Sequence, residues 1–85
     1  MKQIIVAVKD RAADAYMRPF FVPTANMAIR SFMDEVNRKS EDNQLFHHPE
    51  DFDLYELGVF DDNSGRIESY DDMKLLMLGK QAKSE

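Results

Sequence analysis

The longest regular alternation of apolar and polar positions lies between Thr24 and Lys39. Ala25, Ala28, Ile29, Phe32, Met33 and Val36 recur at three- and four-residue steps, and Asn26, Arg30, Asp34, Asn37 and Arg38 fill the gaps. That spacing gathers the first set on one stripe of a 3.6-residue helix and the second on the opposite side. Thr24 is placed to cap the helix by accepting from a free N–H of the first turn, and Pro23 keeps it from starting earlier.

The other segments follow the two-residue period of strands. Lys2 to Lys9 is dominated by β-branched residues, with Ile4, Val6 and Val8 on one side and Ile5 and Ala7 on the other. Because both sides are apolar, this strand is either covered on both faces or lies inside a sheet whose second face serves association. After the polar loop Asp10 to Asp14, Ala15 to Val22 reads as a second strand pairing with the first, with Pro19 at an edge or a bulge. Ser40 to Gln44 is a polar link, Leu45 and Phe46 return to the core, and His47 to Phe52 reads as a turn or a single helical turn. Asp53 to Phe60 is the third strand. Its alternation sets Tyr55, Leu57 and Val59, the cleaner core face, against Leu54, Glu56, Gly58 and Phe60. The turn Asp61 to Gly65 leads into a fourth strand, Arg66 to Tyr70. Asp71 and Asp72 then read as the cap of a short helix carrying Met73, Leu75, Leu76 and Met77, ended by Gly79. The expected fold is α+β, a small antiparallel sheet of about four strands in ββαββ order, with one long amphipathic helix packed on it and a short C-terminal helix. Residues 1–80 form the single domain and 81–85 a frayed tail.

Composition narrows the functional classes. A chain of 85 residues makes one domain that buries only about 60–65% of its unfolded surface, so association would add stability. The absence of cysteine excludes disulfides and Cys-based zinc sites, and 44% apolar residues with six Phe and three Tyr suffice for a core. No apolar run approaches the roughly 20 residues of a membrane span, and the opening MKQIIVAVKDR does not have the pattern of a signal peptide. No membrane association is expected, and the protein is expected to stay in the compartment where it is made. The net charge of −5 is unevenly spread: residues 1–39 carry seven Lys/Arg against four acids, whereas residues 40–85 carry four against twelve. Such asymmetry can mark a basic face for a polyanion and an acidic face elsewhere.

Most candidate chemistry is excluded by spacing. Asp61-Asp62-Asn63-Ser64-Gly65 has the oxygens of a calcium loop, but its glycine is fifth rather than sixth and strands flank it, so it reads as a hairpin turn. His47 and His48 are adjacent and cannot share a helical face as the HExxH pair does. There is no nucleophile elbow, no glycine-rich phosphate loop and no cysteine; neither an enzyme nor a metal or other cofactor is expected. The first hairpin differs, because Lys9, Arg11 and Arg18 lie beside Tyr16, Phe20 and Phe21. Single-strand binders combine cations that track phosphates with rings on which bases stack.

Several segments together resemble one family, the nonstructural protein of the gokushovirus branch of the microviruses, small single-stranded-DNA bacteriophages. They are Arg18-Pro19-Phe20-Phe21, Ala28-Ile29-Arg30-Ser31-Phe32, His48-Pro49-Glu50-Asp51-Phe52, Leu54-Tyr55-Glu56-Leu57-Gly58 and Phe60-Asp61-Asp62-Asn63-Ser64-Gly65. The resemblance implies a protein made in the cytoplasm of the infected bacterium, absent from the mature virion, DNA-binding, and acting in genome synthesis or packaging. It supplies no site residues. The residues themselves nominate Lys2, Lys9, Arg11, Tyr16, Arg18, Arg30, Arg38 and Lys39 for single-stranded DNA, on a homodimer or higher homo-oligomer. The alternative is an assembly factor whose acidic half docks on capsid or replication proteins.

Overall fold

The β-branched run at the start of the chain becomes the strand on which the others assemble. In a computed structural model, which describes residues 1–84, strand β1 (Lys2–Asp10) lies inside an antiparallel sheet. On one side it pairs with two short strands, β2 (Ala15–Tyr16) and β3 (Phe20–Val22), and on the other with β4 (Phe52–Asp61). β4 in turn pairs with the outer strand β5 (Arg66–Leu78). Helix α1 (Ala25–Val36) follows β3, and α2 (Gln44–His47) and a 3₁₀ turn (Pro49–Asp51) lead into β4. A last short helix, α3 (Gly79–Ala82), follows β5.

Residues paired across neighbouring strands share a face, so the register assigns the two sides of the sheet. Ile4, Val6 and Val8 stand opposite Val59, Glu56 and Leu54, and also opposite Val22 and Phe20. This side meets Ala28, Phe32 and Val36 of α1, and with Leu45, Phe52 and Ala82 they form the core. The other side holds Gln3, Ile5, Ala7 and Lys9 opposite Phe60, Gly58, Tyr55 and Asp53, flanked by Phe21 and Tyr16 on one edge and Ile67 and Leu75 on the other. α1 packs on the first side; on this side, among the described residues, only the start of α3 approaches, at the Asp53 end.

Several expectations need correction. The helix predicted over Thr24 to Lys39 stops at Val36: Thr24 caps it, accepting from the Met27 N–H at 3.3 Å. Buried Asn43 ends it from outside, donating to the carbonyls of Glu35 and Arg38, both at 2.8 Å. The predicted second strand is broken into β2 and β3 around Met17-Arg18-Pro19, so the order is not ββαββ. The core face of β4 is inverted only as far as the bulge: Leu54 and Glu56 are buried on the helix side and Tyr55 faces away, whereas Val59 faces the helix side and Phe60 the opposite side, as expected. A bulge explains part of this, because Ile5 faces Gly58 and Val6 faces Glu56, leaving Leu57 unpaired with β1 and reversing the alternation beyond it. The predicted helix after Asp72 is strand instead, with Leu75 and Met77 completing the ladder on Tyr55 and Leu54. Gly79, expected to end that helix, begins α3. A Cβ there would lie 2.0 Å from the Pro49 carbonyl oxygen and 2.2 Å from that of Phe52, so only glycine lets the chain close this corner. The segment expected to fray is packed as far as Ser84, with Ala82 buried and the Ser84 N–H donating to Asn37 Oδ1 at 2.8 Å; Glu85 lies outside the described residues.

Candidate nucleic-acid interface

The uncovered side of the sheet carries the chain's concentration of exposed rings. β2 brings Tyr16 beside Tyr55 of β4, with centroids 5.8 Å apart and planes at 79°. β3 brings Phe21 beside Phe60 of β4 at 5.5 Å and 73°. Both pairs are edge-to-face, the arrangement favoured by ring quadrupoles. Tyr16 is 42% and Phe21 47% exposed, and these rings, with Tyr55 and Phe60 half-buried beside them, stand around Ile5 and Ala7, which are buried although no helix covers them. Ile67 and Leu75 extend the apolar surface towards β5.

The charges on this side are few and paired. The Lys9 ammonium lies 5.6 Å from the Tyr16 ring centroid and 3.7 Å from exposed Asp14. The acid in the same row, Asp53, is 2% exposed and neutralised from within: Arg11 Nε is 2.8 Å from one carboxylate oxygen, and the Gly79 N–H donates to the other at 3.2 Å. Arg11 also donates to the Glu50 carbonyl, and its N–H donates to the Asp51 carbonyl at 2.8 Å. The loop between β1 and β2 is thereby tied to the 3₁₀ turn and to α3.

The nominated residues are divided by this geometry. Lys9 and Tyr16 lie on the open side, and Arg18 stands exposed in the link between β2 and β3 at its edge. Arg11 is held by Asp53. Arg30, Arg38 and Lys39 belong to α1 and its C-terminal end, the layer on the other side of the sheet, where Arg38 is clamped by Glu35 at 3.0 and 2.8 Å. This fork–fork pair holds the Glu35 carboxyl below its ordinary range. Lys2 shares the helix-side row with Asp61 and Arg66 at the far end of β1. The eight residues therefore do not form one patch.

Phe21, Tyr55, Phe60, Ile67 and Leu75 were not among them, although they make most of the open face. The two-sided apolarity of β1 is the signal for such a face; Tyr55, which the alternation assigns to the core side, is hidden by the change of parity at Leu57.

Beyond the sheet, His48, Glu50 and Asp51 bring three donor atoms within 4.8 Å of one another, all in one solvent-exposed turn. Pro49 at the first position and acids in the first turn suit a short helical turn. No helix among the described residues is long and apolar enough to cross a membrane.

Comparison with known proteins places the chain. The family described as "Phage ORF5 protein" matches residues 3–82, which span the sheet and all three helices. The chain belongs to the phage ORF5 protein family. It is 35% identical over 69 residues to "Protein ORF5" of Chlamydia phage 1, an alignment covering 79% of this chain and 72% of that relative. Phage ORF5 membership agrees with the resemblance carried by the segments from Arg18 to Gly65. No solved structure is significantly similar to the chain.

Proposed function

We propose that this phage ORF5 protein is a noncatalytic accessory protein that binds single-stranded DNA through the open face of its sheet during genome synthesis or packaging in the host cytoplasm. The observation that carries the reading is the pair of edge-to-face ring couples, Tyr16–Tyr55 and Phe21–Phe60, half exposed on the face without a helical cover. A base offers a flat π-face to such rings, and stacking is worth about 1–3 kcal/mol per base as judged by alanine substitution. Lys9 and Arg18 are placed to neutralise phosphates along the β2 edge. An unpaired strand fits this face, because in a duplex the base faces are already stacked on each other.

With an overall charge of −5 and two cations at the site, affinity comes mainly from stacking and less from counterion release. The plot of log K against log salt is expected to have a shallow slope, about −1.4 for two neutralised phosphates at roughly 0.7 each. Anisotropy titration of a labelled oligonucleotide at low salt tests the reading. Phe21→Ala and Tyr16→Ala are each expected to weaken binding by about tenfold, Lys9→Ala to flatten the slope, and Arg30→Ala to change nothing. Absence of binding refutes the proposal, and so does equal sensitivity to Arg30→Ala and Phe21→Ala.

Homodimer formation is part of the proposal, since two faces on one strand would raise avidity without new contacts. The sheet edges do not offer themselves for it: β5 carries Glu68, Asp71, Asp72 and Lys74 and two register shifts, and the other edge is interrupted at Pro19.

A further inference from the structure

A cleft of about 370 Å³ opens away from the stacking face, between the loop that leaves β1 and the link from α1 to α2. Its apolar surface is Met17, Leu45 and Phe52, and its polar surface includes Asp10, Asp42 and the Glu35–Arg38 pair. Leu45 and Phe52 belong to the core, so the floor is rigid, and Asn43 fixes the wall by bonding across from α1 to α2. The one guanidinium bonds Glu35 through Nε and Nη2. Two carboxylates remain in excess. Asp10 accepts from the Ala12 and Ala13 N–H groups at 3.0 and 3.3 Å, and Asp42 from the Ser40 hydroxyl at 2.6 Å, so both are held in place.

An apolar floor beneath two anchored carboxylates that make no direct ion pair matches one kind of side chain, an aliphatic stem ending in an ammonium. Lysine buries its methylenes along apolar surface while keeping its charged head beside water or acids. We infer that this cleft docks a lysine presented by an extended segment of a partner protein, with the stem against Met17, Leu45 and Phe52 and the ammonium between Asp10 and Asp42. Arginine fits less well, since Arg38 already occupies the planar bidentate position on Glu35. The site is separate from the stacking face and does not depend on DNA binding. A protein carrying both can hold a strand and a partner at once.

The test is amide chemical-shift mapping of the full chain with three probes: acetyl-Gly-Lys-Gly-amide, the same peptide with norleucine, and cadaverine. The lysine peptide is expected to give saturable shifts at Asp10, Asn43 and Leu45, at least fivefold tighter than the norleucine peptide. Asp10→Asn combined with Asp42→Asn keeps the local hydrogen-bond acceptors and is expected to weaken the lysine peptide by about fivefold. Asp71→Asn with Asp72→Asn removes the same charge far from the cleft and is expected to leave it unchanged. Equal loss in the two double variants means general attraction to an acidic protein and overturns the inference. It is overturned equally by norleucine binding as well as lysine, by cadaverine matching the peptide, or by shifts that never saturate.

Discussion

Replacing Arg11 by alanine separates a structural cation from a binding one. Asp53 is 2% exposed and has two partners, the Arg11 guanidinium at 2.8 Å and the Gly79 N–H at 3.2 Å. Removing one member of a buried ion pair costs about 3–5 kcal/mol, because a charge is left in a poorly solvated place. Here the arginine is half in water, so solvent already screens the pair and can enter the vacated space. Roughly half of that cost, about 2 kcal/mol, is the expected loss. The lost bond to the Glu50 carbonyl adds at most about 1 kcal/mol. At about 4–8 °C per kcal/mol for a domain of this size, the midpoint should fall by about 10 °C or more. Urea denaturation of the wild type, Arg11→Ala, Asp53→Asn and the double variant measures the coupling directly, expected at about 1–2 kcal/mol. At a temperature where Arg11→Ala remains folded, it should bind oligonucleotide like the wild type. A stability change below about 0.5 kcal/mol, or selective loss of DNA binding in a fully stable variant, would refute the assignment of Arg11 to the fold.

Three further outcomes follow from the same geometry. Buried Glu56 accepts from the Tyr70 hydroxyl at 2.5 Å, which with desolvation pushes the phenol up to about 12 from 10.0. A raised folded value means the stabilisation is complete below pH 10 and is lost as pH climbs towards 12, so wild-type protein should lose stability relative to Tyr70→Phe across that window in pH-resolved urea melts. Gly58→Ala puts a Cβ 2.1 Å from the Glu68 carbonyl oxygen, a backbone atom that can yield only if β5 moves. A loss of about 3 kcal/mol or more is expected in thermal melts, along with weakened amide protection in β5. Asn43→Ala removes both donors from the end of α1 and the acceptor for the Leu45 N–H, and is expected to cost about 2–3 kcal/mol in chemical denaturation.

The parts of this fold legible in the sequence are those set by local pattern. Thr24 caps α1 as expected, and Ala28, Phe32 and Val36 form its buried stripe. The alternation in β1 gave both of its faces. What the sequence hides depends on partners distant along the chain. Asp71-Asp72 followed by apolar residues has the local signature of a helix start, yet β4 offers an unpaired edge, and the ladder from Asp53 to Glu56 captures Lys74 to Leu78 as strand. A single unpaired residue, Leu57, reverses the facing of the residues beyond it, and no local property of leucine announces a bulge. The candidate face follows the same division. Lys9, Tyr16 and Arg18 belong to one hairpin, while Tyr55 and Phe60 come beside them only through the register of β1 with β4. The helix cations were grouped with them because sequence position cannot tell which side of a sheet a helix covers.

The open sheet face is the proposed DNA surface. Amide and aromatic chemical shifts recorded during titration with a short oligothymidylate examine that most directly. The expected result is saturable movement of the Tyr16, Phe21, Tyr55 and Phe60 ring signals and of amides in β1 and β4, with the outward side of α1 silent. Shifts confined to Arg30, Arg38 and Lys39, or rings that stay unmoved while the strand binds, would contradict it.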